Sequence, residues 1–108
     1  MYRSNNSAVI VKGARYMPCT LIDEESGREY RLNIKSPKLK TLRKFDEISE
    51  ESSINDLISI TVALLSHNKE GIKITNDIVE NTMEIDELYA FFDDFSTWLT
   101  ETRNANPN

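Results

Sequence analysis

The spacing of apolar residues changes at Ser36-Pro37, and this change constrains the fold more than any other feature of the chain. Upstream, residues 28–35 alternate strictly between apolar and polar, which is the period of a half-buried strand. The apolar members, expected to face inward, are Tyr30, Leu32 and Ile34. Downstream, apolar residues recur every three or four positions, as they do along the buried face of a helix. We therefore expect an α+β fold in which strands precede helices.

The strand region predicts an N-terminal β-hairpin. A first strand over 16–22 and a second over 28–35 flank a polar loop over 23–27, which ends in a glycine. Because proline has no N–H to donate, Pro18 places the first strand at a sheet edge or at a bulge. The apolar run 8–11 is a candidate third strand, although it is too short for its pattern to decide.

Three or four helices are expected to pack against the hairpin. Ser36 and Pro37 predict the start of a short helix, and Ser53 and Thr75 resemble the N-caps of two more. The last helix is expected over about 85–102. The apolar stripe of the first helix comprises Leu39, Leu42 and Phe45. The stripe of the second comprises Ile54, Leu57, Ile58, Thr61, Leu64 and Leu65, and that of the last comprises Ile85, Leu88, Tyr89, Phe92, Phe95 and Leu99.

The charge of the chain is divided between its halves. Residues 1–45 hold ten Lys or Arg and four Asp or Glu, a net charge of +6, whereas residues 46–108 hold three and fourteen, a net charge of −11, and the two sum to −5. A basic sheet could attract an acidic helical part within one domain, or copies could associate head to tail. The densest basic cluster comprises Lys35, Lys38, Lys40, Arg43 and Lys44. It could meet nucleic acid, but the acidic half would repel phosphates, which argues against this partner.

Composition favours a single intracellular domain over 1–108, with disordered tails at 1–7 and 103–108. No apolar run approaches the roughly 18 residues of a membrane span. The single cysteine, Cys19, permits no internal disulfide and suggests a reducing compartment, so we expect a cytoplasmic protein without membrane association.

We find no catalytic motif, and we expect neither a cofactor nor a metal. Nucleophilic catalysis needs a base beside the nucleophile, but Cys19 and His67 lie on different predicted elements. Cys19 is expected to be a small buried hydrophobe and His67 to support the carbonyls at a helix end. Neighbouring carboxylates on one helix diverge by about 100°, so the acidic pairs are typical of solvated faces. These observations predict a protein that is not an enzyme.

The last helix carries the most informative pattern. Five of the nine aromatic residues of the chain fall between Tyr89 and Trp98. Phe91 and Trp98 lie beside the main stripe and make the apolar surface wider than one core face requires. Either the helix is central and buried all round, or part of this surface binds a partner or a second copy. The candidate partner-binding residues are Phe91, Phe92, Phe95, Trp98 and Leu99.

The order of elements resembles a known family. A hairpin built from Thr20-Leu21-Ile22-Asp23 and 27–34 is followed by a helix after Ser36-Pro37, a helix ending at 64–68, a link at 74–78 and an aromatic helix over 83–99. This pattern, over about residues 16–100, resembles the small tail assembly chaperones of long-tailed phages and prophages of low-GC bacteria.

The resemblance implies a non-enzymatic, self-associating protein of the host-cell cytoplasm, which also exists as a longer frameshifted product. It implies that the protein coats the long helical tape measure protein before the tail tube polymerises, with helix-in-groove contact as the expected mode. The alternatives are a structural tail or connector component of the virion, and a small regulator that binds a host protein or nucleic acid. The basic segment 35–44 is not explained by the resemblance.

Overall fold

A four-stranded antiparallel sheet forms the N-terminal part of the protein in a computed structural model, which describes residues 1–4, 9–11 and 14–105. The strands are β1 (Tyr2–Ser4), β2 (Val9–Val11), β3 (Ala14–Asp23) and β4 (Arg28–Ile34). The expected hairpin is β3–β4, and β2 confirms the candidate third strand, although Ala8 lies outside the described residues. The inward set on β4 is also confirmed, because Tyr30, Leu32 and Ile34 are all buried.

The hairpin loop is one residue shorter than expected. Asp23 pairs with Arg28, so the loop comprises residues 24–27. The Asp23 carboxylate accepts the backbone N–H of Glu25 at 3.1 Å, which holds the turn. Gly27 closes the loop with φ at 74°, a left-handed conformation that suits glycine.

β3 lies in the middle of the sheet, so the edge alternative predicted from Pro18 is wrong, and its register with β4 is unbroken from Met17 to Asp23, so no bulge falls at Pro18 on that side. The segment 19–21 pairs with β1 on one side and with β4 on the other. Pro18 lies opposite Asn33 of β4, whose backbone N–H points away from β3 and donates to Glu70 at 2.7 Å. On its other side, the described pairs of β1 and β2 end at residues 19 and 16, so neither reaches Pro18. The proline therefore occupies a central strand at a position where no ladder pair among the described residues requires its donor.

The expected N-terminal tail is also corrected, because Tyr2–Ser4 form β1. Tyr2 is held from three directions: its backbone N–H donates to Glu87 at 2.6 Å, its hydroxyl donates to Asp94 at 2.8 Å, and its ring packs edge-on against Phe91. Residues 5–7 and 106–108 of the expected tails lie outside the described residues, and 103–105 continue the last helix.

Four helices follow the sheet, which confirms the expected α+β class. They are α1 (Leu39–Asp46), α2 (Ile54–Ser66), α3 (Asn76–Thr82) and α4 (Ile85–Ala105). The predicted caps of α2 and α3 are confirmed, since Ser53 Oγ accepts the N–H of Asp56 and Thr75 Oγ1 accepts the N–H of Ile78. The predicted start of α1 at Ser36-Pro37 is wrong. The Lys35 N–H is still bonded to the His67 carbonyl, and Lys38 is extended, so the helix begins only at Leu39.

The core lies between the inner face of the sheet and α2, α3 and α4. The sheet contributes Met17, Cys19, Leu21, Tyr30, Leu32 and Ile34. The helical side contributes Leu57, Ile60, Leu64, Leu65, Ile74, Val79, Leu88, Phe91, Phe92, Phe95 and Trp98. Four residues of the expected helical stripes are instead exposed, namely Leu39, Ile54, Ile85 and Tyr89. The first two lie in the first turns of α1 and α2, and the last two begin α4.

Candidate interaction surfaces

The buried stripe of α4 is rotated from the expected one. Leu88, Phe91, Phe92, Phe95 and Trp98 are buried, at the three- and four-residue spacing of one helix face. Of the two alternatives left open for this helix, burial within the domain applies to Phe91 and Trp98 in this conformation: Phe91 is 0% and Trp98 4% exposed. The reason is that β1 and its Tyr2 ring cover the Phe91 side of the helix, which sequence spacing could not foresee.

The five candidate partner-binding residues consequently belong to the core or its border in this conformation. Phe91, Phe92, Phe95 and Trp98 are buried, and Leu99 packs against the core while partly exposed. The Phe95 ring is the centre of the cluster, 6.1 Å from Phe91 and 5.7 Å from Trp98 between ring centroids. A partner can reach these rings only if a covering element moves.

The covering element over Phe92 and Phe95 is α1. Its Phe45 ring meets both edge-on, at centroid distances of 5.6 Å and 5.1 Å. None of the eight residues of α1, all of which the structure describes, is fully buried. Leu39, at the start of the helix, is 81% exposed. α1 is therefore an amphipathic helix that meets the aromatic cluster through the Phe45 ring and also packs against α2.

A groove lies beside α1, next to the contact between Phe45 and the aromatic rings of α4. It encloses about 460 Å³ between the end of α1, the following loop and α2. The lining combines apolar and charged residues, among them Lys44, Ile48, Asp56 and Ile60. Such a mixture suits a polypeptide with one apolar and one polar face.

Two exposed surfaces of opposite charge carry apolar residues. The basic surface is the outer side of α1 and the residue before it, with Leu39 among Lys38, Lys40, Arg43 and Lys44. The acidic surface is the outer side of the first turns of α4, with Ile85 and Tyr89 among Glu84, Asp86 and Asp93. Tyr89 is 52% exposed.

Three titratable residues, Cys19, Tyr2 and His67, are buried or partly buried. Burial raises the pKa of Cys19 to about 12, which keeps it a protonated, unreactive thiol and matches the expected small hydrophobe. Burial, together with the hydrogen bond to Asp94, also raises the pKa of Tyr2. His67 follows the last residue of α2, and its carbonyl accepts the Lys35 N–H.

The loop after α2 holds the outer edge of β4, and sequence analysis missed it. Glu70 accepts the backbone and side-chain N–H groups of Asn33 at 2.7 and 2.8 Å. Although partial burial acts to raise it, these hydrogen bonds lower the pKa of Glu70. Capping this edge removes ladder groups that would otherwise be open to pairing with another chain. No local pattern marks Glu70, because its partner lies 37 residues earlier.

Within the described residues, no group of three or more metal-binding side chains comes together. No helix in the described ranges has the length and apolar character needed to cross a membrane. Comparisons with protein-family models, with curated proteins and with solved structures find no match to this chain.

Proposed function

We propose that this protein is a non-enzymatic tail assembly chaperone of a phage or prophage, which self-associates and shields the long helical tape measure protein before tail tube assembly. The pattern of elements over about residues 16–100 supports the family. The observation that carries the binding mode is α1, an amphipathic helix seated on Phe92 and Phe95 through the Phe45 ring.

In this proposal α1 occupies the place that a client helix takes. Helix-in-groove recognition uses apolar anchors at helical spacing, and the Phe45 contact has that form. A longer client helix can bring several such anchors, whereas α1 brings Phe45, and Ile48 follows just after its end; both are only partly buried. The client therefore replaces α1 and covers the same rings, and the groove between α1 and α2 extends the contact.

The first test is the Phe45→Ala substitution, measured with a tape measure protein, which is the client that this proposal names. Removing the ring weakens the hold of α1 and raises the fraction of molecules whose aromatic surface is open. We expect client binding to tighten by about tenfold, which corresponds to roughly 1.4 kcal/mol. Titration calorimetry measures the affinity, and circular dichroism checks that the fold persists.

Leu39→Ala is the matched control, because Leu39 lies on the same helix but is 81% exposed. It should leave the affinity for the client unchanged at protein concentrations too low for self-association. Weaker binding by a folded Phe45→Ala protein would make α1 part of the client site and contradict the replacement model. Detection of the chain in purified virions by mass spectrometry would favour a structural component over a chaperone.

Self-association is proposed to join the basic surface of one copy to the acidic surface of another. Each surface pairs an exposed apolar side chain, Leu39 or Tyr89, with several charges of one sign. Opposite charges steer two such surfaces together and the apolar residues add burial. Because the two surfaces differ, the contact is head to tail and generates rings or filaments rather than a closed dimer.

Charge reversal tests this contact. The double change Lys40→Glu with Arg43→Glu places negative charge opposite the acidic surface, so we expect an associated species to become monomeric in light scattering. Mixing that variant with an Asp86→Lys, Asp93→Lys protein should restore association between the two. A wild-type protein that is monomeric at tens of micromolar in low salt would rule the contact out.

A further inference from the structure

A cavity of about 350 Å³ lies where β3 begins, β4 has just ended, and α2 and α4 reach their last turns. Its polar lining comprises Arg15, Tyr16, Lys35, Ser36, His67 and Thr102. Among the described residues that line it, none is acidic. In a chain with a net charge of −5, this concentration of cationic, imidazole and hydroxyl groups is unusual. Its volume lies in the range of small-ligand sites.

Arg15 is the most informative member of this lining. Its Nη2 donates to the Glu101 carboxylate at 3.0 Å, whereas its buried Nε has no hydrogen-bond acceptor among the described residues. A guanidinium recognises phosphate or carboxylate best through two parallel N–H donors. The present pairing with Glu101 uses one donor and leaves another unmet, so a small turn of the guanidinium toward an oxyanion would satisfy both.

Two of the remaining lining residues are joined by a backbone hydrogen bond. The Lys35 N–H donates to the His67 carbonyl at 2.8 Å, which fixes these two residues against each other. Ser36 and Tyr16 add hydroxyl donors. Lys69 Nζ lies 5.7 Å from the centroid of the Tyr16 ring and places a further cation near one wall.

We infer that this cavity binds a small phosphate-bearing ligand, with Arg15 and Lys35 as its main charge partners and Glu101 as the carboxylate that pairs with Arg15 in the ligand's absence. The lining supplies N–H and O–H donors and no carboxylate among its described residues, which suits the acceptor oxygens of a phosphate group. This inference goes beyond the proposed function and does not rest on it.

The chain offers a direct probe, because His67 is its single histidine and its imidazole NMR signals need no assignment. Inorganic phosphate and pyrophosphate are titrated at fixed pH, against sodium chloride at equal ionic strength. We expect a saturable shift of the His67 signals with the phosphates and none with chloride. Citrate forms a third arm, and an equal response to citrate would overturn the assignment to phosphate in favour of a polycarboxylate.

We expect two substitutions of exposed residues to change the affinity for phosphate in opposite directions. Lys35→Gln should weaken phosphate binding by about fivefold, as expected for one charge pair at a partly exposed site. Glu101→Gln removes the competing carboxylate and should tighten binding by a similar factor. Lys73→Gln, an exposed lysine outside the lining, is the control and should change nothing.

A shift that does not saturate, an equal response to chloride, or equal effects of Lys35→Gln and Lys73→Gln would overturn the inference. Weaker binding by Glu101→Gln would also overturn it, because Glu101 would then support the site and not compete for Arg15. Melting temperatures of all three variants check that they fold. None of these outcomes depends on client binding or on self-association.

Discussion

Replacing Phe91 and Trp98 together by alanine is expected to unfold the protein. Both side chains are buried, and both pack against Phe95 at the centre of the aromatic cluster. A buried Phe→Ala or Trp→Ala change costs about 3–5 kcal/mol, and a domain has only about 5–15 kcal/mol in all. Far-UV circular dichroism should show lost helix without denaturant, and each single variant should unfold at a clearly lower urea concentration than the wild type.

The matched control is Ile85→Ala with Tyr89→Ala on the same helix. These side chains are 44% and 52% exposed, so each change should alter the free energy of unfolding by no more than about 0.5 kcal/mol. The contrast separates a core face from an exposed face of α4. If the double change at 91 and 98 left the urea midpoint near the wild-type value, the buried position of this face would be refuted.

Asn68→Ala is expected to destabilise the protein by about 2–4 kcal/mol, because it removes three hydrogen bonds from a buried site. The Asn68 side chain is 3% exposed; it donates to the carbonyls of Leu65 and Ile72 and accepts the Ile72 N–H. It thereby joins the end of α2 to the link that follows. Urea denaturation followed by circular dichroism measures the loss.

Asn68→Asp adds a pH dependence to this test. The new carboxyl would keep an acceptor for Ile72 but would face two carbonyls, so burial and repulsion would raise its pKa in the folded state. A group whose pKa is raised by folding stabilises the fold below its unfolded value, about 4 for an aspartate, and that stability is lost as the pH rises through the folded value. We therefore expect the variant to be less stable relative to wild type at pH 7 than at pH 4.

Asn55 provides the control of opposite sign. It is exposed in the first turn of α2, where a negative charge meets the positive end of the helix dipole. Asn55→Asp should stabilise the protein by about 0.3–1 kcal/mol at pH 7 and lose that gain at low pH. A stability difference between Asn68→Asp and wild type that did not grow from pH 4 to pH 7 would contradict the buried hydrogen-bonded position of residue 68.

Local features of this protein were readable from the sequence because their causes span only a few residues. The buried residues of β4 follow from the two-residue period of a strand, because a register shift of one residue would move every side chain to the other face of the sheet. Ser53 and Thr75 cap helices through hydrogen bonds to N–H groups three residues away, so short motifs suffice to find them. The burial of Cys19 on the face opposite Pro18 follows from the same strand alternation.

The sequence did not determine which face of α4 is buried, because the face with Tyr89 and the face with Phe91 and Trp98 both carry large aromatic side chains. Tyr89 and Phe91 both carry a large aromatic ring and lie two residues apart, on different faces of the helix, so helical periodicity is compatible with either as a core residue. Phe91 is the buried residue, because β1 and the Tyr2 ring pack against the face of α4 that carries Phe91. Tyr89 is left exposed to solvent. The contacts responsible join residues more than 80 positions apart.

The central position of β3 in the sheet likewise depends on contacts between residues that are far apart in the sequence. Pro18 by its own chemistry indicates an edge or a bulge, yet the Asn33 N–H points to Glu70, so the pairing with β4 requires no donor from the proline. Likewise nothing within 1–7 marks a strand, because the hydrogen bonds that hold β1 come from residues of β3 and α4. Sequence patterns specify the conformation and the apolar face of an element where neighbours decide them, whereas the choice between equivalent faces depends on partners that folding brings from far along the chain.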